Sequence, residues 1–286
     1  MRALAALAKL VKLPVSAAAG LSAFSASVAA SGRVTIEAAA ASIGVFILAS
    51  GACALNECQE AGLDRLMERT RARPIPAGAI SPGKGLGLAA AMLACGSALL
   101  LLSAGILAGL LGLGAAAWYN GVYTPLKKWS AFAVAPGALV GTLPPCIGWL
   151  AGGQALGDPR LLALAGFFYL WQVPHFWLLA QEHGPDLKSA GLPSAAAALG
   201  AGRVGRVAGV WLATAACATV LFPLFGTLRS LPGLVVAAGA ACLLTWRAMG
   251  LLSGRAGPEL LRRVFVEANA HALLVMALLC VDSWLA

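Results

Sequence analysis

Long apolar runs recur along the whole chain and constrain its fold more than any other feature. Nine runs are long enough to cross a bilayer as helices, a crossing that takes about 20 residues. Glycines, prolines and charged residues separate these runs, which cover 13–31, 36–56, 86–105, 107–125, 131–152, 160–181, 206–226, 231–252 and 264–284. The pattern predicts an all-α fold, a polytopic membrane bundle of about nine transmembrane helices that forms a single domain over residues 1–286.

The composition agrees with a membrane protein and excludes an ordinary soluble domain. Hydrophobic residues make up 60% of the chain and charged residues only 11%, whereas a soluble domain is about half apolar. The formal net charge of +9 does not indicate nucleic-acid binding, because no basic stripe with interleaved aromatic residues accompanies it. Membrane proteins concentrate positive charge in their cytoplasmic loops. We therefore expect membrane lipid, and no nucleic acid, as a partner.

The distribution of lysine and arginine predicts the topology. When the N-terminus is placed in the cytoplasm and nine spans alternate, only Arg33, Arg160 and Arg229 of the 20 Lys and Arg residues fall on the opposite side. Eight spans, or a different division of the chain, would remove this asymmetry. The positive-inside rule therefore favours nine spans and a cytoplasmic N-terminus.

Residues 1–31 allow two interpretations. A positive start at Arg2 and the small residues of "SVAAS" resemble a cleavable signal peptide. However, Lys9, Lys12 and Pro14 interrupt any early apolar core. We favour a first transmembrane helix that is retained in the protein.

Charge is concentrated in one stretch, "NECQEAGLDRLMERTRARPIP" at residues 56–76, which holds four acids and four arginines. Asn56, Glu60 and Asp64 are spaced four apart, so on a helix their side chains share one stripe at the end of the second span. Two carboxylates and one amide supply hard oxygen ligands, which suit Mg²⁺. The spacing therefore makes this acidic stripe a candidate metal site.

Arginines follow the acidic stripe at once. Arg69 and Arg73 are also four apart, and guanidinium groups bind phosphate oxygens as bidentate forks. Protein-bound Mg²⁺ is commonly completed by substrate phosphates, so the stripe and the arginines together suggest a diphosphate site. The alternative is a solvated loop with internal Glu–Arg pairs, and spacing alone does not decide between the two.

A second cluster, "YNGVYTPLKKWS" at residues 119–130, ends the fourth span. Tyr119, Tyr123 and Lys127 are spaced four apart and share one helical face. A hydroxyl and an ammonium group at a helix end are suited to bind an anion. An interfacial tyrosine beside a snorkelling lysine is the alternative.

The segment "GALVGTLPPCIGW" at residues 137–149 interrupts the fifth span. Its glycines let helices approach closely, and Pro144 and Pro145 break the helix near the middle of the membrane. A broken helix at that depth must be surrounded by protein or line a cavity. The segment therefore predicts a cavity wall, and simple tight packing is the alternative.

An ionisable side chain lies within the sixth span, in "WQVPHFW" at residues 171–177. His175 is flanked there by Trp171 and Trp177, and an ionisable residue at this depth is a functional candidate by default. The alternative is a structural histidine bonded to a neighbouring backbone carbonyl.

A second pair of acids, Glu182 and Asp186, lies four apart at the cytoplasmic end of the sixth span. Gly184 and Pro185 stand between them and interrupt strict helical spacing. Two acidic clusters that face one cavity would share Mg²⁺ ions around a single diphosphate. Both acids therefore join the acidic stripe as candidate metal ligands.

Taken together, these segments resemble the UbiA superfamily of intramembrane prenyltransferases and, within it, the haem O synthases. The first motif of the family is an Asn, an acid four on and an Asp four further, then Met, Arg-Thr and Arg-Pro, which here reads Asn56, Glu60, Asp64 and "LMERTRARPIP". "YTPLKKWS", "GTLPPCIGW", "WQVPHFW" and "AGLP" resemble further segments of the family. The chain departs from it after the second acidic pair, where Leu187 and Ser194 replace the usual Tyr and Met.

The resemblance implies a helical bundle around a central cavity, with Mg²⁺ as cofactor. It implies transfer of a farnesyl group from farnesyl diphosphate to a vinyl group of protohaem IX, giving haem O. The metal ligands that it implies are Asn56, Glu60, Asp64, Asp186 and Glu182. The diphosphate-binding residues are Arg69, Arg73, Lys127 and Tyr123. The catalytic residues are Asn56, Glu60, Asp64, Lys127 and Tyr123. The acceptor-binding residues are His175 and Trp171.

The resemblance also implies a location and partners. We expect a multi-pass protein of the bacterial inner membrane with its active site toward the cytoplasm, whose product passes to a haem A synthase or to terminal oxidase assembly. One alternative is a prenyltransferase of the same superfamily that acts on a quinone precursor or another aromatic acceptor. The other is a transporter or a non-catalytic scaffold, which would need neither Mg²⁺ nor diphosphate ligands.

Overall fold

The computed structural model describes residues 2–254 and 256–285, apart from the side chains of Arg2, Ala3 and Ser283. Arg255, which the predicted topology assigns to the cytoplasm, lies outside the described residues. Every regular element in the described chain is a helix, which confirms the predicted all-α fold. The first elements are α1 (Arg2–Leu10), α2 (Leu13–Ser31), α3 (Ile36–Asp64), α4 (Pro82–Ala117), a π-helix (Trp118–Tyr123) and α5 (Thr124–Leu126). They are followed by α6 (Val134–Ala138), a 3₁₀ turn (Leu139–Thr142), α7 (Leu143–Ala151), α8 (Pro159–Glu182), α9 (Gly184–Ser189), α10 (Ala195–Leu199), α11 (Ala201–Phe225), α12 (Leu231–Leu252) and α13 (Pro258–Leu285).

Eight helical runs in the described chain are long and apolar enough to cross a membrane, whereas nine were predicted. The difference lies in the 45-residue run Pro82–Leu126, which contains the predicted third and fourth spans. Gly105 interrupts this run with φ 85° and ψ 177°, and the Leu100 side chain packs onto Gly112. Residues this far apart would be separated by about 18 Å along a straight helix. The chain therefore reverses at Gly105, and dividing the run there restores the nine predicted segments.

Helix α3 continues beyond the apolar span 36–56 and ends at Asp64, so the acidic stripe lies on a helix, as its spacing predicted. Its last two turns carry the acidic stripe, and these polar side chains are buried in the protein instead of lying in a loop. Thr35 caps the other end of α3, where its side chain accepts the backbone N–H of Ala38 at 3.1 Å. The acidic stripe is thus part of a rigid membrane helix.

The fifth span is broken, as predicted. The break is the 3₁₀ turn Leu139–Thr142, and Pro144 and Pro145 lie in the first turn of α7. Proline is tolerated at that position because the first helical N–H groups have no partner within the helix. Behind the break, α7 packs so closely on α2 that a Cβ at Gly148 would overlap the carbonyl of Ala23.

Helices α2 and α7 lie between the two halves of the bundle. One apolar cluster joins them to α3 and α4 through residues such as Leu48 and Leu100. The other joins them to α8, α11, α12 and α13 through residues such as Phe167 and Phe222. Because both clusters share α2 and α7, the two halves form one continuous bundle.

The outside of the bundle is apolar. Large hydrophobic side chains such as Leu102, Leu224 and Leu231 are 86%, 79% and 73% exposed. Together with the long apolar helices, this surface makes the chain an integral membrane protein. The cytoplasmic position of the N-terminus stays a prediction, but the structure brings α1, the turns after α3, Lys127 and α9 to the same end of the bundle.

Candidate active site

The acidic stripe of α3 is almost fully shielded from solvent. Asn56, Glu60 and Asp64 are 0%, 5% and 1% exposed. The Asn56 Nδ2 donates to Glu60 Oε2 at 3.0 Å and to the Oγ1 of Thr124, also at 3.0 Å. The first two members of the stripe therefore share one helical face, as their spacing of four predicts.

Each buried carboxylate of the stripe faces a cation. The Nζ of Lys127 donates to Glu60 Oε2 at 2.6 Å, and the guanidinium of Arg73 donates to Asp64 Oδ2 at 2.7 Å. A buried carboxylate without a partner would be strongly destabilising. Both pairs thus place a basic side chain against each buried acid at the end of an apolar helix.

The π-helix aligns Tyr119, Tyr123 and Lys127. The two tyrosine rings stack with centroids 5.8 Å apart, and the Lys127 ammonium lies 5.5 Å from the centre of the Tyr123 ring. Single π-turns inserted into α-helices are frequent at functional sites. The Tyr123 ring packs against Gly137, where a Cβ would overlap it, so the glycine of the broken span fits the predicted close approach.

Lys127 is half-buried at the end of α5. Burial lowers the pKa of its ammonium group, and the neighbouring Glu60 carboxylate opposes this effect. The Lys127 ammonium group is therefore only partly hydrated, and it points at the acidic stripe. An anion that reaches this position would meet a fixed positive charge.

The second acidic pair is split between two environments. The carboxylate of Asp186, on α9, accepts the backbone N–H groups of Arg69 at 3.1 Å and Glu68 at 3.0 Å. Both bonds lower the pKa of Asp186, and the bond from Arg69 has the larger effect. Glu182 is exposed at the end of α8. The structure thus joins α9 to the turn that carries Arg69, whereas a cavity shared by the two acidic clusters stays a prediction.

The five predicted metal ligands do not form one cluster. No three His, Cys, Asp or Glu side chains among the described residues lie close enough together to hold a metal ion. The oxygens of Glu60, Asp64 and Asp186 are instead paired with cations or backbone N–H groups. The donor set still fits Mg²⁺ in its chemistry, because buried carboxylates and the Asn56 amide are hard oxygen ligands that already require neighbouring positive charge.

His175 and Trp171 lie together on α8 and contact α13. The Nδ1 of His175 is 2.9 Å from the Oδ1 of Asn269, and Trp171 Nε1 donates to the carbonyl of Ala268 at 2.9 Å. The partner of the histidine is therefore a side-chain amide and not a neighbouring backbone carbonyl. The ring centroids of Trp171 and His175 are 5.0 Å apart and the ring planes are inclined by 42°.

Aromatic rings connect the charged end to this histidine. The Tyr123 and Phe176 centroids are 6.0 Å apart, those of Phe176 and His175 are 5.5 Å apart, and Phe265 lies 4.9 Å from His175. We call the series from Tyr119 through Tyr123, Phe176 and His175 to Trp171 the aromatic path. Sequence reasoning missed Phe176 and Phe265, although Phe176 lies inside the "PHFW" segment.

Sequence reasoning also missed three polar residues of the site. Lys12 Nζ donates to Asn56 Oδ1 at 2.6 Å, and Thr124 bonds to the same amide group. Glu57 is fully buried and accepts the backbone N–H of Ile75 at 2.9 Å. Its position next to Asn56 in an apolar helix was a usable signal, whereas nothing local links residue 12 to residue 56.

A cavity of about 480 Å³ opens beside the stripe. Four cationic side chains line it, namely Lys9, Lys12, Arg69 and Arg73. The two predicted diphosphate arginines therefore face one space, and two lysines of the N-terminal segment join them there.

The sequence matches the UbiA prenyltransferase family over residues 15–280. A protoheme IX farnesyltransferase of Geobacter sulfurreducens is 50% identical over 186 residues, which cover 64% of this chain and 67% of that protein. A protoheme IX farnesyltransferase of Nitratidesulfovibrio vulgaris is 36% identical over 251 residues, which cover 87% of this chain and 85% of that protein.

Solved structures of similar fold agree with this match. A digeranylgeranylglyceryl phosphate synthase superposes with a TM-score of 0.78 at 18% identity and covers 99% of both chains. A UbiA homologue from Archaeoglobus fulgidus bound to GPP and Mg²⁺ superposes with a TM-score of 0.67 at 15% identity, over 96% of this chain and 99% of that one. At these identities the likeness concerns the fold alone.

Proposed function

Because the chain belongs to the UbiA prenyltransferase family, it is a prenyltransferase, and we propose that it transfers a farnesyl group from farnesyl diphosphate to a vinyl group of protohaem IX, giving haem O. Family membership removes the transporter and scaffold alternatives. The donor and acceptor are proposed because two relatives that are similar over most of the chain carry the name protoheme IX farnesyltransferase.

The observation that carries the proposal is the buried Glu60–Lys127 pair, with Nζ and Oε2 2.6 Å apart, at the charged end of an apolar bundle. A prenyl diphosphate has the same division between a highly charged head and an apolar tail. The head would lie at the charged end, held by Arg69, Arg73, Lys127 and Tyr123. The tail would lie in the apolar interior of the bundle.

Cleavage of the allylic C–O bond sends its electron pair to the diphosphate, which therefore gains negative charge. Fixed guanidinium and ammonium groups stabilise that charge without having to reorganise. Bound Mg²⁺ would neutralise part of the same charge. Its proposed ligands are Asn56, Glu60, Asp64, Asp186 and Glu182.

The allylic cation must be protected from water until the acceptor captures it. The apolar walls exclude water, and the rings of Tyr123 and Phe176 present π-faces that attract a cation. His175 and Trp171, at the other end of the aromatic path, would bind the flat acceptor. The π electrons of the vinyl group would form the new C–C bond to the farnesyl cation. The carbocation that this leaves next to the macrocycle would take up a water molecule and lose a proton, which gives the hydroxyl-bearing side chain of haem O.

We further propose that the site opens to the cytoplasm in a bacterial inner membrane. The lysine and arginine distribution supports this orientation, as does the collection of charged segments at one end of the bundle. The product would then pass to a haem A synthase or to terminal oxidase assembly.

The test is a chromatographic pigment analysis. Purified protein would be incubated with protohaem, farnesyl diphosphate and Mg²⁺, beside an Asp64→Asn variant and a sample without Mg²⁺. We expect a more hydrophobic haem product that only the complete wild-type reaction forms. Diphosphate release with phenolic acceptors but not with protohaem would instead support another acceptor, and no turnover of any prenyl diphosphate would contradict the proposal.

A further inference from the structure

The N-terminal segment, residues 8–14, forms one wall of the cationic cavity at the charged end of the bundle. Its lining includes Lys9, Lys12, Arg69 and Arg73, and no acidic side chain is part of it. Arg73 is paired with Asp64, whereas the other three cations form no ion pair with the described residues. A cavity of this charge is suited to a polyanion.

The N-terminal segment is fixed in the position that aims Lys12 at this cavity. Leu10, the last residue of α1, is fully buried and packs with Ile75, Ala54 and Ala89. Lys12 then adopts φ 47° and ψ 56°, the only left-handed conformation of a non-glycine residue in the described chain. Such a conformation is unfavourable for lysine, so packing on both sides must hold it.

The same apolar cluster positions an arginine on the opposite wall. Ile75 belongs to it, and its backbone N–H is held by the buried Glu57 at 2.9 Å. Arg73 lies two residues before Ile75, as Lys12 lies two residues after Leu10. The apolar cluster around Leu10 and Ile75 thus positions both Lys12 and Arg73 at the cavity.

The partners of Lys12 are polar but uncharged. Its ammonium lies 2.6 Å from the Asn56 Oδ1 and 3.5 Å from the Tyr119 hydroxyl. No carboxylate lies within ion-pair distance of it among the described residues. A partly buried ammonium with no direct ion-pair partner gains more from a phosphate oxygen than an exposed lysine does.

We infer that Lys12 is a diphosphate-binding residue of this enzyme, carried to the cavity by the N-terminal helix. It binds phosphate oxygens together with Arg69 and Arg73. Asn56 Oδ1 is also a proposed metal ligand, so metal binding and Lys12 compete for this oxygen, and the ammonium that is released turns to the diphosphate. The inference rests on the proposed function, because it names a further residue for the same substrate.

The first test measures binding of inorganic pyrophosphate to the purified full-length protein in detergent with Mg²⁺, by titration calorimetry. Loss of one charge-assisted hydrogen bond corresponds to an affinity about tenfold weaker or more, which we expect for Lys12→Ala. Lys12→Arg should retain most of the affinity. The matched control is Lys84→Ala, because Lys84 is an exposed lysine at the same end of the bundle, and its affinity should not change.

A second measurement does not depend on the folding of any variant. Wild-type protein in Mg²⁺ buffer is labelled with an amine-reactive reagent, once with pyrophosphate and once without it. The labelling of each lysine is then quantified by mass spectrometry. We expect pyrophosphate to protect Lys12 several-fold and to leave Lys84 unchanged. A purely structural role for Lys12 predicts no protection.

The outcomes separate the two proposals. Wild-type protein that binds pyrophosphate, with equal affinity in Lys12→Ala and equal labelling of Lys12, would overturn only the role of Lys12. Wild-type protein that binds no pyrophosphate in the presence of Mg²⁺ would contradict the diphosphate site itself, and with it the proposed function.

Discussion

The Nζ of Lys127 lies 2.6 Å from the Oε2 of Glu60, although 67 positions separate the two residues in the chain. The same carboxylate oxygen accepts the Asn56 amide at 3.0 Å. This one oxygen atom therefore links Asn56 of the acidic stripe to Lys127, the residue that follows α5. A change in its charge must affect both the metal ligands and the diphosphate ligands that we propose.

Glu60→Gln tests this dependence, because glutamine keeps the shape of the side chain and removes its charge. We expect kcat/KM for farnesyl transfer to fall by about a hundredfold or more, in the range found when one electrostatic stabiliser is removed. The control is Glu68→Gln, since Glu68 is 78% exposed and its one ion pair among the described residues is with Arg71. A Glu60→Gln enzyme with nearly wild-type turnover would show that the carboxylate has no catalytic role.

Gly137→Ala tests the packing of Tyr123. A methyl group at residue 137 overlaps the tyrosine ring, so the ring must move away from Lys127 or the broken span must shift. We expect kcat to fall about tenfold and the free energy of unfolding to fall by about 1–3 kcal/mol. Turnover assays and thermal unfolding in detergent measure the two effects.

The matched control for this substitution is Gly239→Ala in α12, where no atom lies within 4 Å of the added Cβ. Alanine there should leave turnover unchanged and should stabilise the helix slightly. Equal effects at the two glycines would mean that the contact with Tyr123 is irrelevant to catalysis.

The features that the sequence predicted are local ones. An apolar run of about 20 residues must become a helix in a bilayer, which is why the helix bounds follow the predicted spans. A spacing of four likewise predicted that Asn56 and Glu60 share one helical face and that Tyr119 and Tyr123 share another. Helical geometry alone decides which residues share a face.

The features that the sequence did not predict depend on packing between distant segments. Lys12 meets Asn56 across 44 positions, and His175 meets Asn269 across 94. Periodicity carries no information about such pairs. The pairing of Glu60 with Lys127, which lies 67 positions away, was not predicted for the same reason.

His175→Phe tests acceptor binding, because phenylalanine keeps an aromatic ring and removes the nitrogens. We expect the KM for protohaem to rise about tenfold, as loss of one hydrogen bond or ligand would require, while the KM for farnesyl diphosphate stays unchanged. Steady-state kinetics with each substrate varied in turn separate the two constants. The Soret absorption of bound protohaem provides a direct second signal.

The control for acceptor binding is His183→Ala at the end of α8, outside the aromatic path. This variant should leave both KM values unchanged. If His175→Phe raised the KM for farnesyl diphosphate instead, the histidine would belong to the donor site and the assignment of the aromatic path would be wrong.

Asp158→Ala tests the stability of α8, which carries the proposed acceptor residues. Asp158 caps this helix by accepting the N–H of Arg160 at 2.9 Å, and its carboxylate pairs with the Arg160 guanidinium at 2.6 Å. Loss of the cap should lower the free energy of unfolding at pH 7 by about 1–2 kcal/mol. Thermal unfolding of the purified protein measures the difference.

The same pair makes a pH prediction with a defined sign. Hydrogen bonds from Arg160 lower the pKa of Asp158 in the folded protein. Its stabilisation is therefore complete above the unfolded pKa of about 3.9 and is lost as the pH falls through the lower folded value. The stability difference between wild type and Asp158→Ala should shrink on acidification below about pH 4, and a difference that grew would contradict the assignment.

Asp186→Ala tests the link between α9 and the turn that carries the arginines. The carboxylate holds the backbone N–H groups of Glu68 and Arg69, so its removal should loosen this turn and raise the rate of tryptic cleavage there several-fold. Each carboxylate oxygen has a second lone pair, so we also expect the Mg²⁺ concentration for half-maximal activity to rise. Glu259→Ala, which removes an 89% exposed acid, should change neither quantity. Faster cleavage with an unchanged Mg²⁺ requirement would make Asp186 a positioning residue for Arg69 and would remove it from the proposed metal ligands.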